Sequence, residues 1–304
     1  MNSVQIISLK NVTKTFGNKP AIKNLDLQID QGSTCGFLGP NGAGKSTTIR
    51  IIMSIIRPDS GNVQILGTDA LKAKPLIGYL PEERGVYKKM KVKNFLYYMG
   101  ALKGLNRKNI KYATEYWLDR VQLPTVLNQR CEELSKGMQQ KIQFIASIIH
   151  NPKVIILDEP FSGLDPVNAQ VLKEIVEELK KENRTILFST HILSQAEALC
   201  DRIVMVHQGS KVLDNDLESI SIEYQKEALQ INRPTNPDSF SKVKGIKNIT
   251  RTNDHDYEIQ VKENANLDNI MKELLQLTKC DSITKHRQNL DQIFRSIVKR
   301  QESV

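Results

Sequence analysis

Long apolar runs are missing from these 304 residues: the stretch Phe95 to Leu102 is among the longest, and it contains Gly100. A spanning helix needs about 20 apolar residues, so the chain does not cross a bilayer by itself. Cysteine is also sparse. Cys35, Cys131, Cys200 and Cys280 stand too far apart for a CxxC pair, a zinc cluster or a disulfide framework. Buried thiols in a reducing compartment are the expectation. The opening MNSVQIISLKNV has no charged start, apolar stretch or small-residue cleavage site, so no signal peptide is read there.

At 39% hydrophobic, the chain can bury a core, and its length suits about one or two domains. Lys and Arg number 43 against 34 Asp and Glu, a surplus of +9 that invites nucleic acid or an anionic membrane surface, although 25% charged residues is ordinary. Short apolar runs alternate with helical patterns as far as about Gly209, which predicts an α/β domain around a largely parallel sheet. Those runs are Gln5 to Leu9, Leu25 to Ile29, Thr34 to Leu38, Val63 to Leu66, Leu76 to Leu80, Val154 to Leu157, Thr185 to Phe188 and Ile203 to Val206. Helical stretches at Phe95 to Leu102 and Asn109 to Val121 predict an inserted helical subdomain over about 90–150. The expected division is 1–219 and 220–304. The second part reads as a small α+β domain, with strands Ala228 to Ile231 and Tyr257 to Val261 and helices Leu267 to Leu277 and Asn289 to Val298.

Gly39-Pro40-Asn41-Gly42-Ala43-Gly44-Lys45-Ser46-Thr47 fits GxxxxGK[ST]. An apolar strand feeds it, and Ile49, Ile52, Met53 and Ile56 mark a helical face that stops before Pro58. Glycines let several N–H groups turn toward phosphate oxygens, and the helix N-terminus adds positive potential. Lys45 is expected at the β- and γ-phosphates and the Ser46 hydroxyl on Mg²⁺. A glycine-rich turn with a solvated lysine is the bland alternative, and a chance match of the whole pattern is on the order of 1%. Val154-Ile-Ile-Leu157 ends in Asp158-Glu159-Pro160. The first carboxylate suits Mg²⁺, held through water, and the second a general base for the attacking water. Alone, the same three residues would read as a helix-capping turn.

With these residues, the chain resembles the ATPase subunits of ABC transporters: Glu133-Leu134-Ser135-Lys136-Gly137-Met138-Gln139-Gln140 resembles the LSGGQ signature. Met138, Ile142, Ile145 and Ile149 predict one buried face on the helix that follows, with the signature at its N-terminus. Ser162-Gly163-Leu164-Asp165 resembles the family's D-loop, Thr190-His191 its switch histidine, and Phe16 stands where an aromatic stacks on adenine. The resemblance covers residues 4 to about 215. It departs at Lys136 for Gly, at Met138 for Gln, and in the Q-loop, where Glu82 replaces the usual Gln; a carboxylate there can still ligate Mg²⁺ or position water. LPEERG, LSKGMQQK and the size of the C-terminal extension are most similar to ABC-2 type exporters, in particular a NatA-like sodium-exporter group, and Leu290-Asp291-Gln292-Ile293-Phe294 is similar to the closing helix of an accessory domain.

The resemblance implies ATP and Mg²⁺ as cofactors, and hydrolysis by a head-to-tail pair of these subunits with two ATP at the interface. Each site would join Lys45, Ser46, Asp158, Glu159 and His191 of one chain to Ser135 and Gly137 of the other, with Asp165 alongside. It further implies an integral-membrane permease subunit as partner, a peripheral position on the cytoplasmic side of the membrane, and no nucleic acid. Sodium, a drug, a peptide and a lipid all fit as cargo. A soluble ABC ATPase acting on ribosomes or nucleic acid is the alternative; a single cassette without heptads argues against it. A non-hydrolysing scaffold would not need Glu159 and His191.

Most of the charge surplus lies ahead of residue 221, because residues 221–304 hold 14 basic and 12 acidic side chains. Arg84, Lys88, Lys89, Lys91, Lys93, Lys103, Arg107, Lys108 and Lys111 fall in one stretch without an acidic residue. A solvated helical face is the ordinary reading of such a run. Its place after the Q-loop predicts instead a surface lying against the membrane.

Overall fold

The computed structural model describes residues 4–83, 85–223, 228–262, 265–286 and 290–302. The chain divides into two compact units, Met1–Leu217 and Glu218–Val304. In the first, β1 (Gln5–Phe16), β2 (Lys19–Asp30), β3 (Thr34–Leu38), α1 (Lys45–Ile52), β4 (Ser60–Ile65), α2 (Ala70–Ala73) and β5 (Ile77–Leu80) lead to the helical insertion. That insertion holds α3 (Val92–Leu102), α4 (Arg107–Arg120) and α5 (Lys136–Ile148). The chain then returns through β6 (Val154–Asp158), α6 (Pro166–Lys181), β7 (Thr185–Thr190), α7 (Leu193–Leu199), β8 (Arg202–His207) and β9 (Ser210–Asp216).

Six strands form the central sheet in the order β5-β6-β7-β3-β8-β9, parallel except for β9, which runs antiparallel to β8 at the edge. Every residue of β3, β6 and β7 is buried. Strands covered on both faces need continuous apolar runs, and Val154-Ile-Ile-Leu157 supplies one. A separate antiparallel sheet, β2-β1-β4, buries Leu9, Leu25 and Ile65 in the core it shares with Phe37 and Ile156. β1 runs seven residues beyond its apolar start, with Lys10 and Asn11 exposed and Val12 buried.

Two helices differ from the sequence expectation. The helix after the P-loop ends at Ile52, and Ser54 adopts φ +50°, so Ile56 lies outside it. α5 is buried all round from Gln140 to Ile148 rather than along one stripe. Periodicity cannot reveal this, because Gln140, Lys141 and Gln143 are polar and yet enclosed.

The second unit contains α8 (Leu217–Glu223, its first residue in the preceding unit), β10 (Ala228–Asn232), β11 (Ile246–Arg251), β12 (Asp256–Val261), α9 (Leu267–Leu277), β13 (Ser282–His286) and α10 (Leu290–Glu302). Its antiparallel sheet has the order β11-β12-β10-β13, and Leu229, Ile231, Phe240, Ile259 and Leu274 make its core. β9, β11 and β13 had no counterpart in the apolar runs, and all three are sheet-edge strands, which carry more polar side chains. Arg84 and Asn289 lie outside the described residues. Among the described residues no helix is long and apolar enough to cross a membrane.

Candidate functional site

Sheet order decides what comes together. β5, β6, β7 and β3 are neighbours and parallel, so the loops leaving their C-terminal ends converge on one edge, the usual ligand edge of such sheets. Those loops carry Glu82, Asp158-Glu159, His191 and Gly39 to Gly44 respectively. A cavity of about 280 Å³ there is lined by Ala21, Asn41, Gly42, Gly44, Lys45, Ser46, Thr47, Glu82 and Glu159.

The P-loop curls through positive φ at Gly42 (79°) and Gly44 (107°); a Cβ on Gly44 would sit 2.5 Å from the Ala21 carbonyl, so only glycine fits. Ala43 N–H donates to Pro40 O at 3.2 Å and the Gly209 N–H to Ala43 O at 3.1 Å, which fixes the loop against the start of β9. Lys45 is buried; its Nζ donates to Gly39 O at 2.7 Å and Pro40 O at 3.3 Å and lies 3.6 Å from Glu159 Oε1.

Glu159 occupies left-handed backbone, φ +50°, a conformation that costs a non-glycine residue about 1–3 kcal/mol. Its N–H bonds to Ser189 O at 3.1 Å and its carbonyl accepts from Ser162 N–H at 3.1 Å, which hold the turn in place. The same Oε1 lies 2.9 Å from His191 Nδ1, so one carboxylate oxygen serves both the lysine and the histidine. Asp158 is buried behind it and accepts from the Ser189 hydroxyl at 2.5 Å. Burial raises the Asp158 pKa; hydrogen bonds from Ser189 and Ser46 oppose the rise, and the charges of Glu82 and Glu159 add to it. Tyr79 on β5 is pushed up to about 12, by burial first and by Asp158 next.

Ser46, Asp158 and Glu82 offer oxygen donors only, a set that suits Mg²⁺ when phosphate oxygens complete the shell. Among the described residues no group of three or more His, Cys, Asp or Glu could hold a metal unaided. The donors therefore fit a metal that arrives with a polyphosphate.

Ser135, Gly137, Asp165 and Phe16 are not among the residues lining this cavity. Ser135 caps α5, accepting from Met138 N–H at 3.2 Å, and Asp165 caps α6 through Asn168 N–H at 2.9 Å. Asn168 lowers the Asp165 pKa through those bonds. A Cβ on Gly137 would touch Leu164 and Asn168, so the signature and the D-loop pack side by side. Phe16 ends β1 at 52% exposure, a free ring rather than a core residue, with Lys14 Nζ 5.5 Å from its centroid. Three contributors escaped the sequence reading. Ser189 aligns Asp158, Gln140 Nε2 donates to Pro160 O at 3.1 Å, and Gln143 brackets the Q-loop, donating to Glu83 O at 3.1 Å and accepting from Gly85 N–H at 3.2 Å. The signal available for Ser189 was Ser189-Thr190, two polar residues ending an apolar strand.

The family described as ABC transporter matches residues 22–162. An uncharacterised ABC transporter ATP-binding protein of Methanocaldococcus jannaschii is 44% identical over 214 residues, which cover 70% of this chain and 79% of that one. This chain belongs to the ABC transporter ATP-binding family. The ABC transporter ATP-binding protein NatA of Bacillus subtilis is 38% identical over 224 residues, 71% of this chain and 91% of its own. A solved ATP-binding subunit of an ABC transporter superposes with a TM-score of 0.67 at 26% identity, covering 89% of this chain and 99% of the other. A dimeric bacterial ABC transporter cassette superposes at 0.65 and 25% identity, covering 70% and 99%. The cassette is thus an ATP-binding subunit with the α/β P-loop fold, and its family hydrolyses ATP, typically with Mg²⁺.

Proposed function

We propose that this chain is the ATP-hydrolysing subunit of an ABC-2 type exporter, of the sodium or drug efflux kind, working as a head-to-tail dimer beneath a separate permease. The observation that carries the reading is the carboxylate of Glu159, set at the P-loop cavity between Lys45 and His191. P-loop N–H groups and Lys45 bind the phosphates, Phe16 offers its exposed ring to the adenine, and Glu159 takes the proton of the attacking water. His191, on the same oxygen, orients that carboxylate and meets the γ-phosphate. Ser46, Asp158 and Glu82 would hold Mg²⁺, whose charge offsets that of the transferring phosphate.

A pair is supported by the separation within one chain of Ser135 and Gly137 from the cavity, and by the likeness to a dimeric cassette. A second copy would bring a capped helix N-terminus, with its positive potential, to the γ-phosphate. Closure follows because γ-phosphate contacts exist only in the closed pair, and hydrolysis removes them. Similarity to NatA and the motif set support the exporter class, and the second unit, residues 218–304, is read as its accessory domain. Co-expression with a permease found in the adjacent coding region, followed by purification and a phosphate-release assay, tests the reading. Stoichiometric co-purification with cargo-dependent ATP hydrolysis supports it; hydrolysis indifferent to any membrane partner rejects the exporter role.

A further inference from the structure

The His191 side chain is 44% exposed, and among the described residues its hydrogen bond is the one to Glu159 Oε1. A ring so little enclosed is not oriented by packing, so the backbone on either side of it has to set its direction. That backbone is closed by a bracket of two side chains. Thr190, the last residue of β7, is fully buried and pairs with Leu38 of β3, the residue that leads into Gly39 of the P-loop. Its hydroxyl accepts from Ile192 N–H at 3.0 Å, the turn that a threonine makes with the backbone two residues on, and donates to Gln195 Oε1 at 3.1 Å. Gln195 N–H in turn donates to Ile192 O at 3.1 Å. Ile192 has no polar side chain to cap α7, so the Thr190 hydroxyl supplies the hydrogen bond at the helix entrance. The helix itself is seated on the sheet by Ala196 and Leu199, both buried, and a Cβ on Gly36 of β3 would stand 3.4 Å from the Ala196 methyl. Gln195 thus projects from an anchored helix and Thr190 from an anchored strand, with His191 and Ile192 held between them.

Three consecutive residues at this strand end therefore have separate tasks: Ser189 bonds Asp158, Thr190 fixes the turn, and His191 meets Glu159. We propose that Thr190 and Gln195 are positioning residues for hydrolysis, their hydroxyl–amide bracket aiming the His191 imidazole at Glu159; this rests on Glu159 acting as the base and His191 as its partner. Neither Thr190 nor Gln195 lines the P-loop cavity, so opening the bracket bears on turnover and not on nucleotide binding.

Two variants of the full chain open the bracket from opposite ends. Gln195→Leu removes the acceptor at a half-buried site, and Thr190→Val removes the hydroxyl while keeping the volume; Thr190→Ser restores the hydroxyl. The nitrogen NMR spectrum of the imidazoles reads the contact to Glu159 without turnover, with the His191 signals identified by their absence in His191→Ala. In wild type at about pH 8, Nδ1 should carry a proton because a carboxylate oxygen only accepts, whereas in Gln195→Leu and Thr190→Val the ring should average between its tautomers. Phosphate release at saturating ATP should fall about three- to tenfold in both, the equivalent of one neutral hydrogen bond, with the KM for ATP within about twofold. Thr190→Ser should recover most of the loss. Added to His191→Ala, Gln195→Leu should cost nothing further, since the ring it aims is gone. An unmoved His191 signal in both variants overturns the proposal, as does a Gln195→Leu loss that adds in full to that of His191→Ala. Full turnover by His191→Ala rejects the role of His191 and the proposal with it, whereas an unmoved ring in a chain that needs His191 rejects the proposal alone.

Discussion

Glu159 Oε1 lies between Lys45 Nζ, 3.6 Å away, and His191 Nδ1, 2.9 Å away, on a backbone turned to φ +50°. Lys45 opens α1, Glu159 follows β6 and His191 follows β7, so no local sequence interaction could bring them together. Glu159→Gln keeps the size, the backbone conformation and one oxygen, but removes the base. ATP binding should persist while phosphate release falls about 10²- to 10⁴-fold. Light scattering of this variant with ATP should show a dimer that wild type forms only transiently. Undiminished turnover would remove Glu159 from the role of base.

Glu82 places a second carboxylate at the cavity that Glu159 lines, with Asp158 close enough for both to raise its pKa. Polyphosphate entering without a cation meets this negative field. Glu82→Gln removes one charge, and metal-free ATP, measured in EDTA by calorimetry, should bind on the order of tenfold tighter than to wild type. With Mg²⁺ present the two proteins should draw together. Equal metal-free affinities would show that Glu82 lies outside the field of the phosphates.

What the sequence shows and conceals here follows from range. The P-loop is local: glycine spacing, a strand before and a helix after are all contained in residues 34–52. Asp158 and Glu159 are legible because an all-apolar strand delivers them, and His191 because it follows another. Ser189, Gln140 and Gln143 act across 31, 20 and about 60 residues, and their polarity, read locally, suggests solvent. Lys103 misleads for the same reason, as one more member of a basic run until two carbonyls are seen to hold it. The strands β9, β11 and β13 carry few apolar residues, and among the described residues each pairs with a strand on one side only.

Gln143 is buried and clips the Q-loop at both Glu83 O and Gly85 N–H, from the helix that the signature Ser135 caps. Gln143→Leu preserves volume and leaves both backbone groups without that partner. Stability should fall by about 1–3 kcal/mol in urea titration. ATP affinity of the monomer should stay within about twofold, since Gln143 does not line the cavity. ATP-dependent dimerisation of the doubly substituted Gln143→Leu, Glu159→Gln chain should weaken, because the signature helix loses its fixed relation to the loop bearing Glu82. A dimer as tight as that of Glu159→Gln alone would make the clip purely structural.

His150 and Lys103 share the carbonyl of Ile77, at 3.2 Å and 2.9 Å. A carbonyl only accepts, so His150 Nε2 carries the proton, and the buried Nδ1 has no hydrogen-bond partner among the described residues, which suits the neutral ring. Burial first, and the adjacent Lys103 ammonium second, push the imidazole from 6.5 down to about 4, against the pull of the Ile77 bond. The folded protein therefore releases a proton that the unfolded chain retains below pH 6.5. Stability from this group is complete above pH 6.5 and is lost as pH falls from there toward about 4. The loss should amount to about 2 kcal/mol, less than the full shift implies because part of the ring meets solvent. Urea midpoints of wild type and His150→Asn, compared at pH 7, 5.5 and 4.5, isolate the contribution from the carboxylates that titrate nearby. The gap between the two proteins should narrow steadily toward pH 4.5; a gap independent of pH would mean that His150 titrates normally.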